Sequence, residues 1–578
     1  MVKKLTLYIH TIRYLRWIQI YSQFSLILKK RLIKPFIIRY TKNKTISIWN
    51  KQIYLIKKPV QVDIPDYQNN IFRFLNETHR FSSSIDWNSC NLSKLWLYNL
   101  HYFDYLIPSC EDPSDARYQE MKGVLEHWID NNPIGTGNGW EPYPSSLRIV
   151  NWIYTYSFYQ EYFEGDPLFE NKFIQSLYQQ TIYLLFFFET HLLANHYFAN
   201  IKALFWAGCF FYKSNWLSKA ERLLDREMKE QILKDGGHCE QSPMYHSIVL
   251  IDVLDLVNLL KVSKNCNQKI QFEHLRDHLQ KISISMLYWL QQMTYADGRI
   301  ALFGDSAFSI APDFLDIQNY ALRCCGVDSI HQKNKSGVIS HISLHDSGYH
   351  VFKNEDFDLF CDTGKLGVPY QPGHAHCDLA SYEYSFRGER FIVDSGVGEY
   401  VNSPLRHFAR SAKAHNTVHV PFIDQAELWS TFRMGRRIEN ITSSIQNRGQ
   451  DFLLEVSYRN DLQKKQQYIH HREFHISASG FSVQDSIPGI SSFESYLHFH
   501  PECYLIEERD VIVVVKNLQK IAIHYQSSDV EMRIEEQIFT PEFGKHHPVK
   551  VVVFISRNNR NVILYQVLSN KNAFYEEF

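Results

Sequence analysis

"PGHAHCDLASYEYSFRGERFIVDSG", residues 372–396, marks the point where this chain has changed its period. A Pro-Gly pair turns the backbone, two histidines follow one residue apart, and a strand-like run rich in Tyr, Phe, Ile and Val comes after them. From about residue 335 to 578 the same habit recurs. "GYHVFKNEDFDLFCD" (348–362), "NTVHVPFI" (416–423), "FLLEVSYRND" (452–461), "VIVVVKNLQKIAIHYQ" (511–526) and "VKVVVFISRN" (549–558) alternate or form short apolar runs between turn residues. Many short strands without helices between them predict an antiparallel β-sandwich over 335–578.

On the other side, from about residue 90 to 325, apolar residues recur at helical spacing. "SLRIVNWIYTYSFYQEYF" (146–163), "NKFIQSLYQQTIYLLFFFETHLL" (171–193), "FANIKALFWAGCFFY" (198–212) and "SIVLIDVLDLVNLLKV" (247–262) are long enough for helices and are separated by short polar breaks. Helices apolar over much of their circumference predict a multi-layer helical array rather than a simple bundle. The fold class is therefore α+β and multidomain. It comprises an N-terminal basic segment (1–85), a helical domain (86–330) and an antiparallel sandwich (335–578).

Composition narrows the function. The chain has 578 residues, 45% hydrophobic, so it can bury more than one core. A net charge of −1 gives no global basic field for nucleic acid. Aromatics at 15% suit helix packing and also sugar stacking. Ten cysteines (90, 110, 209, 239, 266, 324, 325, 361, 377 and 503) show no CxxC spacing, so reduced thiols are expected. The opening "MVKKLTLYIHTIRYLRWIQIYSQFSLILKKRLIKPF" starts basic, but His10, Arg13 and Arg16 interrupt its apolar run and no clean cleavage site follows. An amphipathic basic helix that touches another domain or an anionic membrane surface fits this segment. The expected location is cytoplasmic with peripheral membrane contact, and periplasmic is the alternative.

Four constellations carry chemistry. "GNGWEPYPSSLR" (137–148) presents Trp140 and Glu141, and "LLANHYFANIKAL" (192–204) presents Asn195 and His196. "GGHCEQSPMYHSIVL" (236–250) presents Glu240 and a legible helix start, with Ser242 as N-cap and Pro243 first, so that Tyr245 sits in the first turn. In the sandwich half, His374 and His376 are followed by Asp394 and by His415 in "ARSAKAHNTV" (409–418). Two imidazoles and a carboxylate make a reasonable zinc set.

The stretches "ANHYFANI" (194–201), "GGHCEQSPMYH" (236–246), "DGRIALFGDSA" (297–307), "GHAHCDLASYEYSFRGERFIVDSG" (373–396) and "AHNTV" (414–418) together resemble the heparinase II/III-like polysaccharide lyases. That resemblance implies an (α/α) toroid joined to an antiparallel sandwich. It implies cleavage of an acidic, uronic-acid-containing polysaccharide by β-elimination. Asn195 would neutralise the uronate carboxylate, Tyr245 would act as the acid or as both acid and base, and His374 would be a second neutraliser or the base. His196, Glu240, Trp140, Glu141 and Arg410 would line the substrate cleft. His376, Asp394 and His415 would hold one structural zinc per chain, which pins the loop that presents His374. Tyr400 is the nearest match to a second family tyrosine. The opening segment resembles relatives associated with bacterial surface-polysaccharide assembly. Two other readings stay open. One is a polysaccharide-binding or assembly factor on the same fold. The other is a glycoside hydrolase using Glu141 and Glu240 as paired carboxylates.

Overall fold

The computed structural model describes residues 2–41, 46–49, 53–262, 272–326, 338–463, 466–528, 530–556 and 561–569; Cys266 lies outside them. The nine described cysteines are free, as the spacing predicts.

Helices run through the first half from Lys94–Tyr102 to Phe314–Cys325, and strands from Ser340 dominate the second. The earlier part is not all helix, since a small hairpin pairs Ile71–Phe74 with Glu77–Arg80. Caps fix several helix starts. Ser93, Ser114 and Asp166 each accept the backbone N–H three residues on, and Pro167 stands at the first position after Asp166. Burial sorts the helices into two rings. Ala194–Phe210 and Pro243–Val262 are buried along nearly their whole length, whereas Ser214–Gln231 and Glu273–Gln292 bury one stripe each. Inner helices without a polar face, backed by amphipathic outer ones, build the (α/α) toroid. The inner ring also hides an ionic cluster, with Lys202 Nζ 2.6 Å from both Asp252 and Asp255.

The second half forms an eight-stranded antiparallel sheet, a four-stranded sheet and a five-stranded meander from Ser340–Leu344 to Glu389–Ile392. The run after "PGHAHCD" is a hairpin rather than one strand. Tyr382–Phe386 pairs with Glu389–Ile392 through Arg387 (φ 50°) and Gly388 (φ 80°), two positive φ values that suit a tight hairpin turn. Every residue of Tyr382–Phe386 is buried, so both of its faces are covered. The histidines sit in the connection between Phe357–Asp362 and Tyr382–Phe386, neighbouring strands of the meander.

The meander is pinned to the toroid, and the connection with it, since Asp305 N donates to the His374 carbonyl at 2.9 Å. Trp289 Nε1 donates to Ser347 Oγ at 2.8 Å, Tyr349 donates to the Gln241 carbonyl at 2.6 Å, and Tyr295 donates to Glu383 at 2.8 Å. The two halves therefore meet along the loops that carry the candidate site residues.

Candidate active site

Asn195 and Tyr245 each lie in the first turn of an inner helix, Ala194–Phe210 and Pro243–Val262. Unpaired N–H groups and the helix dipole give such a turn a positive partial charge, suited to a carboxylate. Both helices begin from backbone that non-glycine residues rarely adopt: Leu193 (φ 65°) and Ala194 (φ 48°) before Asn195, and Gln241 (φ 57°) before Tyr245. Ser242 caps the second helix as expected, accepting from Tyr245 N at 3.2 Å.

Tyr245 reaches across the domain junction. Its ring lies 3.8 Å, centre to centre, from the ring of His374, and its hydroxyl is 3.1 Å from that of Tyr400. Burial, the neighbouring Tyr400 and Asp305 lift the Tyr245 phenol well above its usual range, so it keeps its proton. His196 packs on Tyr143 at 4.3 Å and faces Glu189 at 3.2 Å. Asn195 is 3% exposed, and neither its amide oxygen nor its nitrogen has a protein partner. Both oxygens of buried Glu240 also lack a hydrogen-bond partner, with His238 Nδ1 3.7 Å from one of them, and desolvation followed by the charge of Asp305 pushes its carboxyl up to about 8. Buried polar groups without partners are costly unless something else fills the site.

The centre of the arrangement is Asp305. Its Oδ2 accepts from His374 Nδ1 and its Oδ1 from His376 Nε2, each at 2.8 Å, and Arg406 grips both oxygens. Gly304 makes this approach feasible: at φ +58° it sits where a Cβ would come within 3.0 Å of the His374 carbonyl. In neutral rings these bonds set opposite tautomers. His374 keeps its Nε2 lone pair, and His376 keeps its Nδ1 lone pair, which is buried and has no protein partner. Burial lowers the pKa of both imidazoles, against the opposing pull of Asp305.

The donor set beside it fits a metal ion. His415 Nδ1 is 2.7 Å from Asp394 Oδ2, which leaves His415 Nε2 buried and unpartnered, like His376 Nδ1. Ligand atoms of His376, Asp378 and His415, all buried, lie within 4.8 Å of one another. Asp394, expected in the ligand set, instead has both oxygens engaged, by His415 Nδ1 and by Gly396 N at 3.1 Å. Asp378 supplies the carboxylate that converges with the imidazoles.

Two expected cleft residues have other duties. Trp140 is 4% exposed, donates its indole N–H to the Asn132 carbonyl and packs on Trp128 and Tyr183, so it belongs to the core. Arg410 is 1% exposed and points its guanidinium at the carbonyls of Pro372, Ala375, Thr431 and Arg433. It staples the histidine loop from behind. Glu141 is partly exposed and is bound by Tyr98 and Lys94. Asp305 and Asp378 gained no role from spacing. Asp305 was visible only as a carboxylate inside the "FGDS" of a resemblance stretch.

A toroid closed against an antiparallel sandwich, with a tyrosine from one facing a histidine from the other, defines a two-domain architecture with its site at the junction. The chain belongs to the heparinase II/III-like family. The heparinase II/III N-terminus matches residues 29–321, and the heparinase II/III-like C-terminal region matches 340–567. It is 24% identical over 331 residues to a heparin-sulfate lyase of Pedobacter heparinus, covering 53% of this chain and 48% of that protein. It is 21% identical over 445 residues to one of Bacteroides stercoris, covering 72% and 62%. The chain thus spans about half to three-fifths of the length of these curated relatives. A crystal structure of heparinase III superposes with a TM-score of 0.70 at 16% identity, over 92% of this chain and 88% of that one, which establishes the shared fold.

Proposed function

We propose that this protein is a polysaccharide lyase that cleaves a uronic-acid-containing polymer by β-elimination. The observation that carries the reading is the Tyr245–His374 contact, 3.8 Å between ring centres, made only where the toroid and sandwich meet. Elimination removes the proton from C5 of the uronate, next to a carboxylate whose charge opposes the developing carbanion. Asn195, unpartnered at the end of an inner helix, donates to that carboxylate and stabilises the enolate-like charge. Glu240, held protonated by burial, adds a second neutral donor in the same region. His374, with Nδ1–H committed to Asp305, offers Nε2 as the base. Tyr245 keeps its proton and delivers it to the leaving O4, with Tyr400 at hydrogen-bond distance to steady the hydroxyl. A product with a C=C bond conjugated to the carboxylate leaves.

Zinc, the ion the family resemblance implies, would be held by His376 Nδ1, His415 Nε2 and Asp378, with Asp394 orienting His415 from behind. It would anchor the loop that presents His374, since elimination needs no metal-bound hydroxide.

The curated relatives are named heparin-sulfate lyases, which makes sulfated glycosaminoglycans the first substrates to try. The test incubates the protein with a panel of uronate polymers, heparan sulfate included, and records ultraviolet absorbance and product mass. New absorbance with unsaturated oligosaccharides is expected. Cleavage that yields saturated ends with added water would replace the lyase reading with a hydrolase.

A further inference from the structure

The N-terminal segment has two working faces. Its helices, α1 (Val2–Ile12) and α2 (Trp17–Thr41), lie against both halves of the protein. On the inner side His10 bonds Glu427 at 2.8 Å, and Thr11 Oγ1 accepts from the Trp429 indole at 3.1 Å, both in the sandwich half. Ser22 bonds Thr190 in the toroid at 2.7 Å. Gln19, 1% exposed, joins the two, donating to the carbonyls of His191 at 3.3 Å and Tyr370 at 3.1 Å. Those carbonyls lie four residues before Asn195 and four before His374.

The outer side is apolar and uncovered. Leu5, Ile9 and Ile12 on α1 are 61%, 59% and 49% exposed, and Trp17, Tyr21 and Phe24 on α2 are 86%, 71% and 72% exposed. Each trio follows the i, i+4, i+7 spacing of a single helix face. Large apolar side chains in this density mark a binding surface rather than one left in water.

Charge identifies what covers it. Residues 1–41 contain nine Lys and Arg and no Asp or Glu, while the rest of the chain carries 52 Lys and Arg against 62 Asp and Glu. Lys4 and Arg39 are exposed; Arg13 and Arg16 pair with Glu439 and Glu230. A second copy of this chain packed face to face on the surface would bring the same positive charge, and a soluble polyanion offers no apolar phase for Trp17 and Phe24. An anionic lipid surface offers both, and Trp and Tyr favour the headgroup level. Among the described residues no helix is long and apolar enough to cross a membrane, so the contact is peripheral.

We propose that the outer face of α1 and α2 lies in the interface of an anionic membrane while their inner face straps toroid to sandwich. The protein is thereby held at the lipid surface by the same element that bridges the two loops of its candidate site. This docking does not depend on the lyase reading.

The test is flotation of the full-length protein with vesicles of phosphatidylcholine, with and without phosphatidylglycerol, at low and high salt. The protein is expected to float with the phosphatidylglycerol vesicles and to lose that binding as salt rises. The triple variant Trp17→Ser/Tyr21→Ser/Phe24→Ser should keep its melting temperature, because these side chains are exposed, and bind at least about tenfold more weakly, because each loses burial in the acyl boundary. Wild-type protein that stays unbound with anionic vesicles overturns the proposal, as does a variant that floats equally well. Light scattering that finds a wild-type dimer converted to monomer by the same variant assigns the face to a second copy instead.

Discussion

Replacing Tyr245 by Phe separates chemistry from folding. The ring would keep its place over His374, 3.8 Å away, and its buried position in the first turn of Pro243–Val262. What disappears is one hydroxyl, whose recorded hydrogen bond is the 3.1 Å contact with Tyr400. A hydrogen bond of this kind contributes about 1 kcal/mol to stability, so melting should move little in a chain of 578 residues. Loss of a positioned proton donor costs roughly 10²–10⁴ in turnover, which is about 3–5 kcal/mol of transition-state stabilisation at 1.36 kcal/mol per tenfold. The two effects differ enough to be told apart in one preparation. The assay is initial rate by ultraviolet absorbance on a cleaved polymer, with thermal unfolding of the same sample. The fall should appear in kcat with little change in KM, because the hydroxyl acts on the leaving oxygen during reaction. Turnover within a few-fold of wild type, on a protein that melts normally, would refute Tyr245 as the acid.

Asn195→Ala should lower kcat by about 10²–10³, as for other donors aimed at developing charge, and melting should hold since the amide has no protein partner to lose. Asp305→Asn should do both kinds of damage. It leaves the Arg406 guanidinium buried without its counter-charge, at a cost of roughly 3–5 kcal/mol, and it disturbs both histidines, so melting temperature, turnover and bound metal should fall together. Metal analysis should find about one zinc per chain, with His376→Ala and Asp378→Asn losing it and Asp394→Asn retaining it more weakly; loss only with Asp394→Asn would return that residue to the ligand set. Glu240 binds a proton in the folded state up to about pH 8, while an exposed glutamate releases it near the usual 4.5. Its contribution to stability is therefore full below about pH 4.5 and is lost as pH rises toward 8. Thermal melts across that window should slope downward in wild type and less so in Glu240→Gln.

The sequence by itself determined the type and order of the elements. Period 3.6 up to residue 325 and short strands from about 340 follow from local burial patterns, which a chain displays whether or not its partners are known. The Ser242 cap and Pro243 start placed Tyr245 in a first turn, because capping is a property of neighbouring residues. Only the tertiary structure decided which polar side chains face each other. Asp305 lies 69 residues from His374 and 101 from Arg406, and no spacing rule links them; Gly304 and the docking of toroid on sandwich bring them together. The same holds for Arg410 and Trp140, whose types suit a sugar cleft. Buried carbonyls needed a donor and a packed core needed an indole, and those demands exist only in three dimensions. Asp378 and Asp394 are both aspartates near a histidine; what distinguishes them is that Asp394 bonds His415 Nδ1 while Asp378 has a ligand atom within 4.8 Å of those of both His376 and His415, a matter of orientation that composition cannot carry.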